Sequence, residues 1–311
     1  MDLTPLQTRA YDELFAAGGE RPTFPADLAE RLRGALEERL DDLLPALQGG
    51  PFVVAKTALN RVHTCEGYQV AEEADGFSWS AVTAKGAIAH KAIELAFGMR
   101  EAAAPLELVD LAIDRVLEDD RGPASFLAEA PAAELGELRA AASDYVFKFI
   151  DEFPPLKPRW RPRLESSLVG RLFEGQIELR GKVDLALGQA KGLTANVLIV
   201  DFKTGRPSSA HVDDLRFYAL LETLRVGVPP FRVASWYLDS GHWHAEDVDE
   251  ELLDVAVRRT ADGARKLIAL AGGRVPTLSP GPVCRWCVAR GTCEGAAAWA
   301  QEQDEEVPLL L

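Results

Sequence analysis

Apolar residues recur at helical spacing over residues 26–44, where Leu28, Leu32, Leu36, Leu40 and Leu43 alternate with Glu and Arg, and the run stops before Pro45. The stripe predicts a packed helical face, not a binding motif. Further helices are predicted over 84–97, 106–117 and 133–150, the last ended by Pro154 and Pro155. Beyond these prolines the period changes. Residues 164–169 and 175–187 show short alternations, and 196–202 form an apolar run typical of a buried strand. Residues 212–224 then predict a helix, 231–238 a strand, and 250–270 a long amphipathic helix. The expected fold class is α/β, a central mixed sheet flanked by helices.

Composition narrows the function classes. A chain of 311 residues can bury a real core, and 47% hydrophobic with 27% charged residues is ordinary for a globular protein. No apolar run approaches the ~20 residues needed to span a bilayer, and Asp2, Arg9, Asp12 and Glu13 interrupt any signal core, so a cytoplasmic location with no membrane partner is expected. The net charge of -15 excludes a protein that coats nucleic acid through a general basic field. It leaves room for an enzyme whose carboxylates hold metal and whose basic residues form only a local channel. Lys157, Arg159, Arg161 and Arg163, interleaved with Trp160, suit either a strand backbone with a stacked base or a solvated linker. There is no internal repeat and no Gly-x4-Gly-Lys-Ser/Thr phosphate loop, so no motor of that type is expected.

Chemistry concentrates in two strand motifs, Gly181-Lys182-Val183-Asp184 and Ile199-Val200-Asp201-Phe202-Lys203-Thr204-Gly205. If their strands pair as neighbours, Asp184 and Asp201 reach the same end of the sheet. Residues two apart in a strand share a face, so Asp201 and Lys203 project together while Phe202 turns into the core. Two carboxylates, a backbone carbonyl from Phe202 and water would satisfy Mg2+. Alone, however, Asp-x-Lys at a strand end is a common surface turn.

The pair of motifs resembles those of the PD-(D/E)XK nuclease superfamily in its RecB-like branch, whose second motif reads Asp, aromatic, Lys, Thr, Gly. Gly86-Ala87-Ile88-Ala89-His90 is similar to that branch's helix motif, Glu165 to its acidic residue on the first core strand, and Leu215-Arg216-Phe217-Tyr218-Ala219 to the helix motif after the lysine strand. The resemblance implies catalysis by Asp184, Asp201, Lys203 and Glu165. It also implies a Mg2+ or Mn2+ ion held by His90, Asp184, Asp201 and the Phe202 carbonyl, and substrate contacts from Tyr218, Asp214, Thr204 and Arg206. The family usually has Gln where this chain has Asp214, four residues before Tyr218. An anion there is unfavourable beside phosphate unless it meets metal or a basic group. The His242-Trp243-His244 alternation reads as a strand with the two histidines on one face, and the other histidines show no ligand spacing.

Of four cysteines, Cys65 stands alone while Cys284, Cys287 and Cys293 form Cys-x2-Cys-x5-Cys. In a reducing compartment such clustering points to metal, and the spacing admits tetrahedral zinc or an iron-sulfur cluster. One Cys ahead of the core and three behind it is similar to the iron-sulfur members of the RecB-like branch, the CRISPR-associated exonucleases and helicase-nuclease domains. That resemblance implies a [4Fe-4S] cluster on Cys65, Cys284, Cys287 and Cys293, acting as a structural staple. The related segment often has Pro after the first Cys, where this chain has Glu66. Arg285, Trp286 and Arg290 beside the cluster are candidate DNA contacts by residue type.

The expected organisation is a helical segment over 1–50, a RecB-like nuclease domain with its iron-sulfur clamp over 51–300, and a frayed acidic tail over 301–311. The expected activity is metal-dependent hydrolysis of DNA, as a single-strand exonuclease in repair, recombination or defence, with a helicase or repair protein as partner. The alternative is a non-catalytic iron-sulfur subunit that binds DNA or assembles such a complex.

Overall fold

Leu28, Leu32, Leu36 and Leu40 all turn inward on α2 (Leu28–Leu40), as their spacing dictates. The chain then tightens into a 3-10 turn over Asp41–Ala46 that accommodates Pro45, so the α-helix ends earlier than the leucine pattern suggests. The structure is a computed structural model that describes residues 3–15, 19–47, 50–99 and 103–305. Ahead of α2 lies α1 (Pro5–Phe15). A four-residue strand, β1 (Phe52–Ala55), leads into α3 (Lys56–Thr64), α4 (Glu66–Asp75) and α5 (Ala81–Gly98). Three more helices follow, α6 (Pro105–Asp119), α7 (Ala124–Glu129) and α8 (Ala132–Glu152).

The strands β2 (Arg163–Leu172), β3 (Ile177–Gly188) and β4 (Val197–Lys203) appear where the period changes. The second half alternates α9 (Ser209–Val226), β5 (Arg232–Tyr237), β6 (His242–Asp247), α10 (Glu250–Ala271) and α11 (Glu294–Glu305). Local chemistry explains several boundaries. Ser80 and Thr83 form a capping box at α5, Asp249 accepts from the Leu252 amide at 2.7 Å, and Gly227 closes α9 in the left-handed conformation at φ 89°.

The six strands form one mixed sheet. β3 pairs antiparallel with β2 along one side, and on its other side first with β1, parallel, and then with β4, antiparallel. β5 continues parallel to β4, and β6 closes the far edge antiparallel, carrying His242, Trp243 and His244. α9 covers one face, with Leu215, Tyr218 and Leu221 buried, and Phe149 of α8 and Phe153 just after it pack on Phe202 and Trp236 from β4 and β5. Leu14 of α1 and the α2 leucines belong to the same hydrophobic cluster as the sheet.

Residues 301–305, expected to fray, continue α11, while 306–311 lie outside the described residues. Among the described residues no helix is long and apolar enough to cross a membrane.

Candidate active site

The site arises from a fork in the sheet. β1 stays beside β3 only as far as the pair Ala55 and Arg180, and β4 joins β3 only from the pair Leu185 and Val200. Among the described residues, 181–184 therefore have no paired strand on that side. The opening is a cleft of about 670 Å³ lined by Lys56, His90, Lys182, Asp184, Asp201 and Lys203, among others. Gly181 is required at its floor, because a Cβ there would stand 2.9 Å from both Tyr218 and Leu221 of α9. Gly86 plays a similar part on α5, where a Cβ would come within 3.0 Å of Thr204 Oγ1.

Four sequence-predicted residues meet at this fork. His90 Nδ1 lies 3.3 Å from Asp184 Oδ1, and Asp184 Oδ2 accepts from the Phe202 amide at 2.6 Å. One ligand atom each from His90, Glu165 and Asp184 falls within 4.8 Å of the others. Glu165 is placed there by a left-handed backbone, φ 48°, within strand β2, a conformation that strains a residue with a Cβ by roughly 1 kcal/mol. Its carboxylate also pairs closely with Lys182. Phe202 is buried against Phe149 and Phe153, as the alternation predicted.

Asp201 stands on the lysine side of the fork. It is 3% exposed, and its Oδ2 lies 2.6 Å from Lys203 Nζ. Asp214 is buried behind the same lysine. Its Oδ2 accepts from Lys203 at 2.8 Å and from Lys56 at 3.0 Å, and its Oδ1 from Asn60 at 2.6 Å. The carboxylate that stands in place of the related motif's amide thus meets two ammonium groups and does not line the cleft. Tyr218 is buried beside them, with Lys56 Nζ 5.5 Å above its ring. Thr204 and Arg206 fall outside the lining: the Thr204 carbonyl accepts from the Tyr145 hydroxyl at 3.3 Å, and Arg206 is exposed.

Charge and burial divide the acids. Burial alone would raise the Asp184 carboxyl, but His90, the Phe202 amide and Lys203 together hold it below the ordinary carboxylate range. Burial and then the charge of Asp184 raise Asp201, against the pull of Lys203 and Lys56. Burial likewise raises Glu165, opposed by Lys182. Burial works against the charged form of Lys203, yet Asp201 and Asp214 outweigh it and keep the ammonium protonated. The charge of Asp184 thus pushes both Asp201 and Glu165 upward, a load that a divalent cation relieves.

Lys56, Asn60, Arg180 and Lys182 are the residues that sequence reasoning missed. Lys182 lay inside a quoted motif. Lys56 follows a strand too short to show alternation. The segment around Trp160 resolves toward structure: Trp160 stacks on Tyr11 and packs at a tilt on Phe15 of α1, and Arg163 pairs with Glu222.

At the far end of α3 the four cysteines line one pocket of about 490 Å³. Amides of Ser279 and Gly281 donate to the sulfurs of Cys65 and Cys284, each at 3.4 Å. Burial raises the Cys287 thiol, and the neighbouring cysteines add to the shift. Glu66, in place of the related motif's proline, accepts from the Thr277 amide at 2.8 Å and pairs with Arg274 at 2.8 Å. Trp286 beside the pocket is 65% exposed, while Arg285 stacks on Trp299.

A mixed sheet flanked by helices, with acids, a histidine and a lysine at one fork, has the architecture of the restriction-endonuclease-like nucleases. The sequence profile of the PD-(D/E)XK nuclease superfamily matches residues 54–294, and the chain belongs to that superfamily. No curated protein matches the chain. Among solved structures, that of SSO0001 is similar over 86% of this chain and 97% of its own, at 16% identity and a TM-score of 0.38. That of a Eubacterium rectale protein assigned by inference as an exonuclease is similar over 77% of this chain and 87% of its own, at 12% identity and a TM-score of 0.45.

Proposed function

We propose that this nuclease-superfamily chain is a Mg2+- or Mn2+-dependent DNA exonuclease of the RecB-like branch, acting on single strands and stapled by a [4Fe-4S] cluster. The observation that carries the catalytic part is the convergence of His90, Glu165 and Asp184 within 4.8 Å, beside the Asp201 and Lys203 pair, at the fork of the sheet. The donor set fits a hard divalent cation, because it is mostly carboxylate oxygen and both Asp184 and Asp201 face a cleft with room for water. Glu165, Asp184, Asp201 and His90 would hold the ion. When bound, such an ion acidifies water and offsets charge on the attacked phosphate.

The protein's own residues do the rest. Lys203, fixed between Asp201 and Asp214, donates toward a phosphate oxygen and steadies the charge that builds as water adds to phosphorus and the P–O bond breaks. Lys56 and Lys182 add positive charge along the cleft, which a chain of net charge -15 otherwise lacks. Residues 51–300 are then the nuclease unit and 1–50 a helical brace on it. The chain would work in the cytoplasm beside a helicase or a repair or defence partner.

The cluster rests on the shared pocket: Cys65 from ahead of β2 and Cys284, Cys287 and Cys293 from behind β6 line one cavity of about 490 Å³, and four thiolates are the ligand set that a [4Fe-4S] cluster takes.

The test of the activity is hydrolysis of 5′-labelled and 3′-labelled single-stranded DNA with Mg2+ or Mn2+, comparing wild type, Asp201→Ala and Lys203→Ala. Stepwise shortening from one end by wild type, lost in both variants, is expected. Binding without cutting would instead support a non-catalytic assembly subunit.

A further inference from the structure

A second pocket, of about 350 Å³, lies between the start of β2 and the end of α9 and is lined by Arg161, Arg163, Gly188, Gln189, Glu222 and Arg225, among others. Among the described residues the only carboxylate lining it is Glu222, 1% exposed. Arg163 donates to Glu222 Oε1 at 3.1 Å, and Arg225 donates to Oε2 through Nε at 3.0 Å and Nη2 at 2.7 Å. Arg161 is held by the Gln189 side-chain oxygen and takes a left-handed backbone, φ 49° and ψ 59°, to point there. Three guanidiniums against one carboxylate leave a surplus of positive charge in a chain whose net charge is -15.

Burying a carboxylate on a helix face is unfavourable, and the pairing seldom returns more than the desolvation it requires. What the arrangement does achieve is rigidity. Glu222 fixes two planar guanidiniums whose side chains stay 36% accessible, and each keeps N–H donors that Glu222 does not use. Fixed guanidinium donors around a small cavity are the chemistry that recognises phosphate. The location fits a nucleic-acid strand. Arg163 pairs with Ala186 of β3, two residues and roughly 7 Å along that strand from Asp184, so an anion held here lies near the fork.

We propose that this arginine pocket binds a phosphate of the nucleic-acid strand whose neighbouring linkage occupies the fork, and so sets the register of the strand. The proposal rests on the nuclease reading only for the second clause; phosphate binding stands without it.

The test compares the full-length wild type with an Arg161→Gln/Arg225→Gln variant, in which Arg163 still pairs with Glu222. Affinity for a short single-stranded oligonucleotide is measured in EDTA over a series of salt concentrations, and cutting is measured separately at saturating strand. The variant should bind about tenfold more weakly at low salt, with the log–log salt slope reduced by about 0.7, one phosphate contact on a single strand. At saturating strand the variant should still cut, but with a more scattered product pattern, because the register is no longer fixed there. A loss seen only with 5′-phosphorylated strands assigns the pocket to a terminal phosphate; an equal loss with 5′-hydroxyl strands assigns it to an internal one. Inorganic phosphate should protect wild type, not the variant, against thermal unfolding. If the double variant unfolds, Arg161→Gln alone replaces it, since Arg161 is exposed and does not touch Glu222. Unchanged affinity and unchanged slope overturn the proposal, while wild-type binding that needs these arginines without any cutting would overturn only the nuclease reading.

Discussion

At the scale of single residues, Asp214 decides how the candidate site is held. From sequence it looked like an anion placed against substrate. Its carboxylate instead bridges Lys56, Lys203 and Asn60, so two lysines on different elements share one counter-charge. That relation was illegible because Lys56 lies 158 residues away and no periodicity links the two positions. Asp184, Asp201 and Lys203 were legible because a strand's period of two fixes which neighbours share a face. Removing one partner of a buried ion pair leaves the other charge uncompensated. Asp214→Asn is therefore expected to lower stability by about 2 kcal/mol in urea denaturation. Adding Lys56→Met should recover part of this, with a coupling of about 1 kcal/mol in the double-mutant cycle. Simple additivity would show that Lys56 does not need Asp214.

At the scale of elements, the long periodic segments were readable and the short ones were not. α5, α8, α9 and α10 and strands β2 to β5 follow their hydrophobic patterns within a few residues. β1 has only four residues, of which Val54 alone is buried, and so carries no detectable alternation. Yet β1 makes the fork, because its end at Ala55 is what frees residues 181–184. The fork also depends on α9 lying directly on Gly181. Gly181→Ala must displace Tyr218 and Leu221, which a Cβ would meet at 2.9 Å. Overpacking of this kind costs about 1–3 kcal/mol. Both a lower thermal midpoint and a reduced kcat/KM are expected, since Tyr218 and Asp214 ride on the displaced helix. A variant as active as wild type would mean that α9 does not position the lysine.

At the scale of the whole molecule, the C-terminal segment lacks the means to hold itself in place by apolar burial. Within residues 272–303 only Cys287 and Ala296 are buried, whereas α10 just before it buries ten residues along one face. Its ties include the pair of buried Glu66 with the half-exposed Arg274, the Thr277 amide on Glu66, and the sulfur pocket lined by Cys65, Cys284, Cys287 and Cys293. A metal centre bridging these cysteines, as proposed, would close a loop around nearly the whole core, and its binding free energy would add to the stability of the closed form. The Cys-x2-Cys-x5-Cys spacing was visible in sequence; that the segment has almost no core of its own was not, because its Val275, Leu278, Trp286 and Val288 read as apolar yet stay exposed. An anaerobic preparation should therefore contain about four irons per chain with broad visible absorption, and Cys287→Ser should bleach it. Loss of the metal should free the segment before the core: limited proteolysis is expected to cut within 272–303 in the Cys287→Ser variant, leaving a resistant fragment that ends near Ala271 and keeps the sheet's unfolding transition. Stoichiometric zinc without iron would overturn the cluster while sparing the staple, and equal protease resistance in wild type and variant would overturn the staple itself.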